Sequence, residues 1–211
     1  MKILILGPLK RNQPIAEHFN EQGISHDIFC DLDEVEFDSF SSYTHLISSG
    51  YHKRIPESVL SLFESTKRLN IHASYLPFGK GIGTILFALL YPVVLGSSIH
   101  ILEPDIDMGR VLVQQEFVLP DFVKTQRQLH SYWVQHATDL FLRHLDALLC
   151  ASFEPMPPMD EFVAPYLSRD QSETHLSLLN KGWDTSISDI RIISLALALR
   201  SSYTNAGLDD V

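Results

Sequence analysis

The sequence predicts an α/β protein: a doubly wound, mostly parallel sheet with a small C-terminal appendage. Three observations point there. Short apolar runs ending at glycine or polar turns alternate with stretches of helical spacing through the N-terminal part, the pattern of βαβ units. The 211 residues, 45% hydrophobic and 20% charged, suffice for a full core. The composition then shifts after Cys150 into the Pro-rich "FEPMPPMDEF". Residues 1–150 are therefore expected to form the main domain and 151–211 a C-terminal extension.

"KILILG" opens the chain as a buried parallel strand entering a turn at Gly7. Helical spacing around Ile15 to Phe19 follows and stops at Gly23. "HDIFC" is a second short strand, and the acidic, Ser-rich Asp31 to Ser42 a solvated connection. "THLISSGY" is the third strand, with Pro56 at the start of the helix after it. "KRLNIHAS" is the fourth. "SSIHIL" and "RVLVQQEF" read as two strands joined by the acidic turn "EPDIDMG". A long amphipathic helix is expected from about Val123 to Cys150, with Leu129, Trp133, Ala137, Leu140, Phe141, Leu145 and Leu148 as its apolar stripe. Near the end, Ser186 and Asp189 stand at capping-box spacing before the apolar "IRIISLALALR", which either enters the core or pairs with a second chain. The final "TNAGLDDV" reads as disordered, and there are no internal repeats.

A net charge of −10 argues against nucleic-acid or anionic-membrane partners, because phosphate contact needs Lys and Arg. "LKR" at Leu9–Arg11 and "HKR" at His52–Arg54 are the local exceptions. Two cysteines, Cys30 and Cys150, make no disulfide framework. The apolar run Ile3–Leu6 is too short for a signal peptide. Ile82–Leu95, broken by Gly83 and Pro92, is too short to span a bilayer. A cytoplasmic protein follows as the expectation.

In open α/β sheets ligands bind beyond the carboxyl ends of the strands. Gly7–Arg11, Ser48–Ile55 and Asn70–Gly81 lie at such ends, and Asp105 and Asp107 come from the later acidic turn. "GPLKRNQ" carries neither G-x-G-x-x-G nor a P-loop, so no dinucleotide site is expected. His72, His100, His130, His136 and His144 lack ligand spacing with Cys or Glu, so no metal site is expected either. Asn70 and His72, two apart on a strand, share one face. With Asp107 they supply an amide donor, a proton carrier near neutrality and a carboxylate to orient it. A structurally satisfied buried pair would look the same in sequence.

"NIHASYLP", Lys80-Gly81, "SIHILEPDIDMGRVLVQ" and "SSGYHKRIPESVL" together resemble the folate-dependent formyltransferases, most strongly over Leu46 to Gln115. The signature Asn-x-His-x-Ser-x-Leu-Pro is followed downstream by Asp-x-Gly. The resemblance implies the formyltransferase Rossmann-like fold and transfer of a formyl group from 10-formyltetrahydrofolate, a co-substrate, to an amine, without metal. It implies Asn70, His72 and Asp107 as catalytic residues: Asn70 and His72 steady the formyl oxygen, and Asp107 holds His72 and helps take the amine's proton. It implies a folate slot lined by Gly50, Lys53, Arg54, Ile55, Glu103, Asp105 and Ile106. Tyr75, Phe78, Lys80 and Trp183 are the candidates for acceptor contacts. "GPLKRNQ" departs from the Gly-Ser phosphate loop of the glycinamide ribonucleotide enzymes, and the methionyl-tRNA enzymes add a further domain. Phe78 after the Pro and "NKGWDTSISDI" look like the sugar enzymes, whereas the apolar Ile82-Gly83-Thr84-Ile85 departs from them. The expected acceptor is thus a nucleotide-linked amino sugar, with glycinamide ribonucleotide or a carrier-bound aminoacyl group as the alternative. A non-catalytic folate-binding scaffold is the alternative of another class. The expected partners are small molecules, with a homodimer as an open option.

Overall fold

The protein is described here by a computed structural model covering residues 1–81, 83–91, 93–154, 156 and 169–195. Six strands form one sheet in the order β2-β1-β3-β4-β5-β6. They are β1 (Lys2–Leu6), β2 (Ser25–Phe29), β3 (His45–Ser48), β4 (Arg68–His72), β5 (Gly96–Ile101) and β6 (Val111–Glu116). The first four in sequence are parallel. β5 runs antiparallel to β4, and β6 antiparallel to β5. The sheet therefore has a parallel half, as expected, and an antiparallel half made from "SIHIL" and "RVLVQQEF".

Period-two alternation along the strands feeds two cores at once. Ile3, Ile5, Ile47, Leu69, Ile71, Ile99 and Ile101 pack on one face with α1 (Leu9–Glu21), α4 (Gln126–Arg143) and α5 (Leu145–Leu149). Leu4, Leu6 and Leu46 face the other way, against Val35, Phe40, Tyr43, Val59, Leu60 and Phe63. This is the double winding, and each fully buried Ile or Leu contributes roughly 1.5–3 kcal/mol. The acidic connection before β3 folds into short 3₁₀ turns and still donates Phe40 to the core.

The expected long helix is two helices. α4 begins at Gln126 rather than near Val123, because Thr125 and Gln128 close a capping box there. It ends at Arg143, where His144 leaves helical geometry and its N–H donates to Phe141 O, before α5 resumes. All seven expected stripe residues are buried.

A third cluster joins α3 (Thr84–Leu90) to Leu129 and Trp133 of α4 and to Leu179, Ile187 and Ile190. The C-terminal stretch is thus docked on the main sheet's helices. Gln126 N donates to Thr185 O and Ile187 N to Lys124 O, and Arg127 forms a two-pronged ion pair with Asp184. α6 (Arg169–Ser177) lies in the same stretch. The expected cap is present, with Asp189 N donating to Ser186 Oγ at 3.0 Å, and the helix after it is described over 187–195. The rest of "IRIISLALALR", the tail "TNAGLDDV" and most of the Pro-rich segment lie outside the described residues. No helix among the described residues is long and apolar enough to cross a membrane.

Candidate functional site

The polar pair of β4 owes its partners to the reversal at β5. Antiparallel pairing sets Asn70 opposite His100 and His72 opposite Ser98. The chain leaves β5 beyond the start of β4, and the connection to β6 then folds back until Asp107 reaches Asn70. Gly109 makes that return feasible. A Cβ there would stand 1.7 Å from Ile101 O, so only glycine lets the backbone pass. Asp107 itself takes the left-handed conformation, at φ 53°. The Asp-x-Gly spacing is the local requirement of this fold-back.

Asn70, His72, His100 and Asp107 form one network. The Nδ1–H of His100 donates to Ile101 O at 2.8 Å, since a carbonyl can only accept. His100 Nε2 therefore accepts from Asn70 Nδ2 at 2.9 Å. The same amide nitrogen donates to Asp107 Oδ1 at 3.2 Å. Gly81 N donates to Asp107 Oδ2 at 2.8 Å. His72 Nε2 donates to Gly79 O at 3.2 Å, which leaves Nδ1 facing Asp107 Oδ1 at 3.7 Å. Asp107 is thus near His72 without a direct hydrogen bond. The carboxylate is held by Asn70 and Gly81, not by the imidazole the sequence reading gave it.

Burial pushes His72 below the ordinary imidazole value, with the Asp107 charge opposing, so the neutral ring is favoured at pH 7. Burial alone would raise Asp107. The neighbouring imidazoles, in their protonated form, and the Gly81 N–H outweigh that and hold its carboxyl well below the usual carboxylate range. One ligand atom each from His72, His100 and Asp107 falls within 4.8 Å of the others. The tertiary fold thus makes a set with metal-ligand chemistry that sequence spacing did not reveal.

This network opens on a cavity of about 360 Å³. Of the residues expected at a folate slot, Gly50, Lys53 and Ile106 line this cavity. Arg54, Ile55, Glu103 and Asp105 do not. Arg54 donates to Pro104 O and pairs with Asp105, and Arg68 pairs with Glu103, so these charges brace the loop that carries Asp107. Ile55 is buried in the core under β1 and β3. Among the acceptor candidates only Trp183 reaches the cavity, edge-on to His130. Tyr75 packs by Gly96, Phe78 against the third cluster, and Lys80 Nζ lies 3.0 Å from Met108 Sδ. The sequence reading missed Arg11, His100, Gln126, His130 and Ser172 as site residues. Only "LKR" and the H-x₆-D spacing of His100 and Asp107 hinted at any of them. A larger, more open depression of about 570 Å³ on α4, beside Phe122, Tyr132 and His136, holds none of the expected site residues.

The formyl transferase family matches residues 36–143, just over half of the chain, and the protein belongs to that family. The chain is 21% identical over 132 residues to a dTDP-4-amino-4,6-dideoxyglucose formyltransferase of Mycobacterium bovis, covering 63% of this chain. It spans 55% of that relative's length. Its fold is similar to that of the formyltransferase PseJ from Anoxybacillus kamchatkensis, solved with UDP-4,6-dideoxy-4-formamido-L-AltNAc and tetrahydrofolate. There the TM-score is 0.79 at 24% identity, over 90% of this chain and 97% of that one. A sugar N-formyltransferase from Shewanella sp. superposes with a TM-score of 0.71 at 16% identity, over 92% of this chain and 87% of that one.

Proposed function

We propose that the protein transfers the formyl group of 10-formyltetrahydrofolate to the amine of a nucleotide-linked amino sugar. The observation that carries this reading is the convergence of Asn70, His72 and Asp107 on one cavity also lined by Gly50, Lys53 and Ile106. Family membership and the ligands named for PseJ support it.

In this reading the amine's lone pair attacks the formyl carbon, a C–N bond forms, and the bond from that carbon to the folate N10 breaks. Neutral His72 has its free lone pair on Nδ1 and can take the amine's proton there, beside the Asp107 charge that stabilises the resulting imidazolium. The proton passes on to N10 as the folate leaves. Asn70 serves the developing oxyanion once one of its two amide hydrogens is exchanged from His100 or Asp107 to the substrate oxygen. Gly50, Lys53 and Ile106 border the folate side, and Trp183 stacks on the acceptor.

The test incubates the protein with 10-formyltetrahydrofolate and dTDP- or UDP-linked amino sugars and follows tetrahydrofolate release. Turnover dependent on a nucleotide sugar is expected. Turnover with glycinamide ribonucleotide alone would overturn the acceptor, and folate binding without turnover on any amine would favour a scaffold.

A further inference from the structure

We propose that His72, His100 and Asp107 form a binding site for a divalent transition-metal ion, best Zn²⁺, and that the bound ion blocks the reaction. Binding of the ion stands by itself; only the block rests on the proposed function.

The donors converge from three places. His72 ends β4, His100 lies on β5 and Asp107 on the loop to β6. His100 Nε2 stands 3.4 Å from Asp107 Oδ1, and His72 Nδ1 stands 3.7 Å from the same oxygen. Tetrahedral zinc holds nitrogen and oxygen donors at about 2.0–2.2 Å, which sets them about 3.3–3.5 Å apart. The two pairs are close to that spacing before any adjustment. Each imidazole gives its other N–H to a backbone carbonyl, His72 Nε2 to Gly79 O at 3.2 Å and His100 Nδ1 to Ile101 O at 2.8 Å. Metal-bound histidines are held in the same way, the carbonyl fixing the tautomer that aims the free lone pair at the ion. Here both free lone pairs lie on the Asp107 side. The protonation states also suit a metal, because His72 is kept neutral and Asp107 ionised.

The cavity gives access. His72, Asp107 and Asn70 border it, and His100 lies behind Asn70. Asn70 Nδ2 donates to His100 Nε2 at 2.9 Å and to Asp107 Oδ1 at 3.2 Å. Two of the three donor atoms are thus directed at one polar group on the cavity wall. A cation that takes the place of this amide, as Asn70 turns aside, meets both, with His72 Nδ1 as the third donor. The fourth position of a tetrahedral ion then faces the cavity, as in zinc sites with three protein ligands. Two imidazoles and one carboxylate suit Zn²⁺, Co²⁺ or Ni²⁺, whereas Mg²⁺ and Ca²⁺ prefer oxygen alone. The ion occupies the Nδ1 lone pair that takes the amine's proton in the proposed reaction, so transfer stops until a chelator removes the metal.

Zinc chloride titrated calorimetrically into the full chain tests the site, with Co²⁺ as a coloured probe. Wild type is expected to show the visible absorption of four-coordinate Co²⁺, lost when zinc is added. His100→Gln should weaken zinc binding by about tenfold or more, at least the loss seen when a partner of a metal ligand is removed. Asn70→Ala, which removes the competing amide, should strengthen it. His136→Gln, on α4 beside the other depression, should bind zinc like wild type. Melts without metal report that each variant is folded. In the formyl-transfer assay zinc should abolish turnover and EDTA restore it. No four-coordinate cobalt band in wild type overturns the site, and this result does not depend on any variant folding. Equal zinc affinity in wild type and folded His100→Gln also overturns it. Zinc bound through His100 with turnover unchanged or raised overturns the block. If zinc binds through His100 while no amine is formylated, the site stands and the proposed activity fails. If an amine is formylated and zinc does not bind, the activity stands and the site fails.

Discussion

The two walls of the cavity are built on opposite principles. On the sheet wall, Asn70 bonds Asp107 and His100 behind it, Gly81 N bonds Asp107, and His72 is held by Gly79 O. The helical wall, Arg11, Gln126, Ser172 and Trp183, lines the same space from separate segments and forms no such network among the described residues. A network that satisfies itself holds its groups in place before substrate arrives, as chemistry at a developing charge requires. Under the proposed function one wall would serve the reaction and the other recognition.

The largest blow to that contrast falls on the sheet wall. Asp107→Asn keeps the shape and removes the charge, and formyl transfer should drop by about 10³-fold, within the range for losing acid–base or oxyanion support. Steady-state kinetics check this, with a thermal melt to show that folding persists. If Asp107→Asn keeps most of the activity, the sheet wall is not the reacting one.

Gly109→Ala attacks the same wall through the backbone. The added methyl meets Ile101 O, so the fold-back must shift, at a cost of about 1–3 kcal/mol by analogy with overpacking. Urea unfolding measures the loss, and activity should fall with it because Asp107 moves.

Acid should act next. Burial lowers both His45, whose Nε2 donates to Leu149 O, and His72. Each stays neutral in the folded chain at pH values where the unfolded chain, at about 6.5, already binds the proton. Stability is therefore complete above that value and is lost as pH falls below it. Chemical denaturation at pH 7.5 and pH 5.5 should show this slope, and His45→Gln should flatten part of it.

The smallest effect is expected at Arg127 and Asp184. They tie α4 to the turn bearing Trp183, yet both side chains are more than half exposed. Solvent screens such a pair, so Arg127→Ala should leave the melting midpoint unchanged and UDP binding near wild type. A marked loss of UDP binding would mean that the helical wall depends on this tie for its position.

Much of the sheet wall was legible in the residues. "NIHASYLP" placed Asn70 and His72 on one strand face, and the Asp-x-Gly turn singled out Asp107. The loop charges Arg54, Glu103 and Asp105 misled, because a charge beside a site and a charge bracing the loop that carries the site look alike in one dimension. Phe78 and Lys80 misled similarly: neighbours of the motif in sequence, they turn away from the cavity.

The helical wall was hardly legible. Arg11, Gln126 and Ser172 lie on three helices far apart in the chain, each ordinary in its own segment. Sequence alone determined the alternation of strands and helices, the α4 stripe and the motif residues Asn70, His72 and Asp107, because these follow from local periodicity and from motifs a few residues long. Only the tertiary structure decided that β5 reverses direction, that His100 joins Asp107, and that the C-terminal stretch closes the cavity. Those features depend on which distant surfaces meet when the three clusters bury their apolar faces, and no local pattern encodes that meeting.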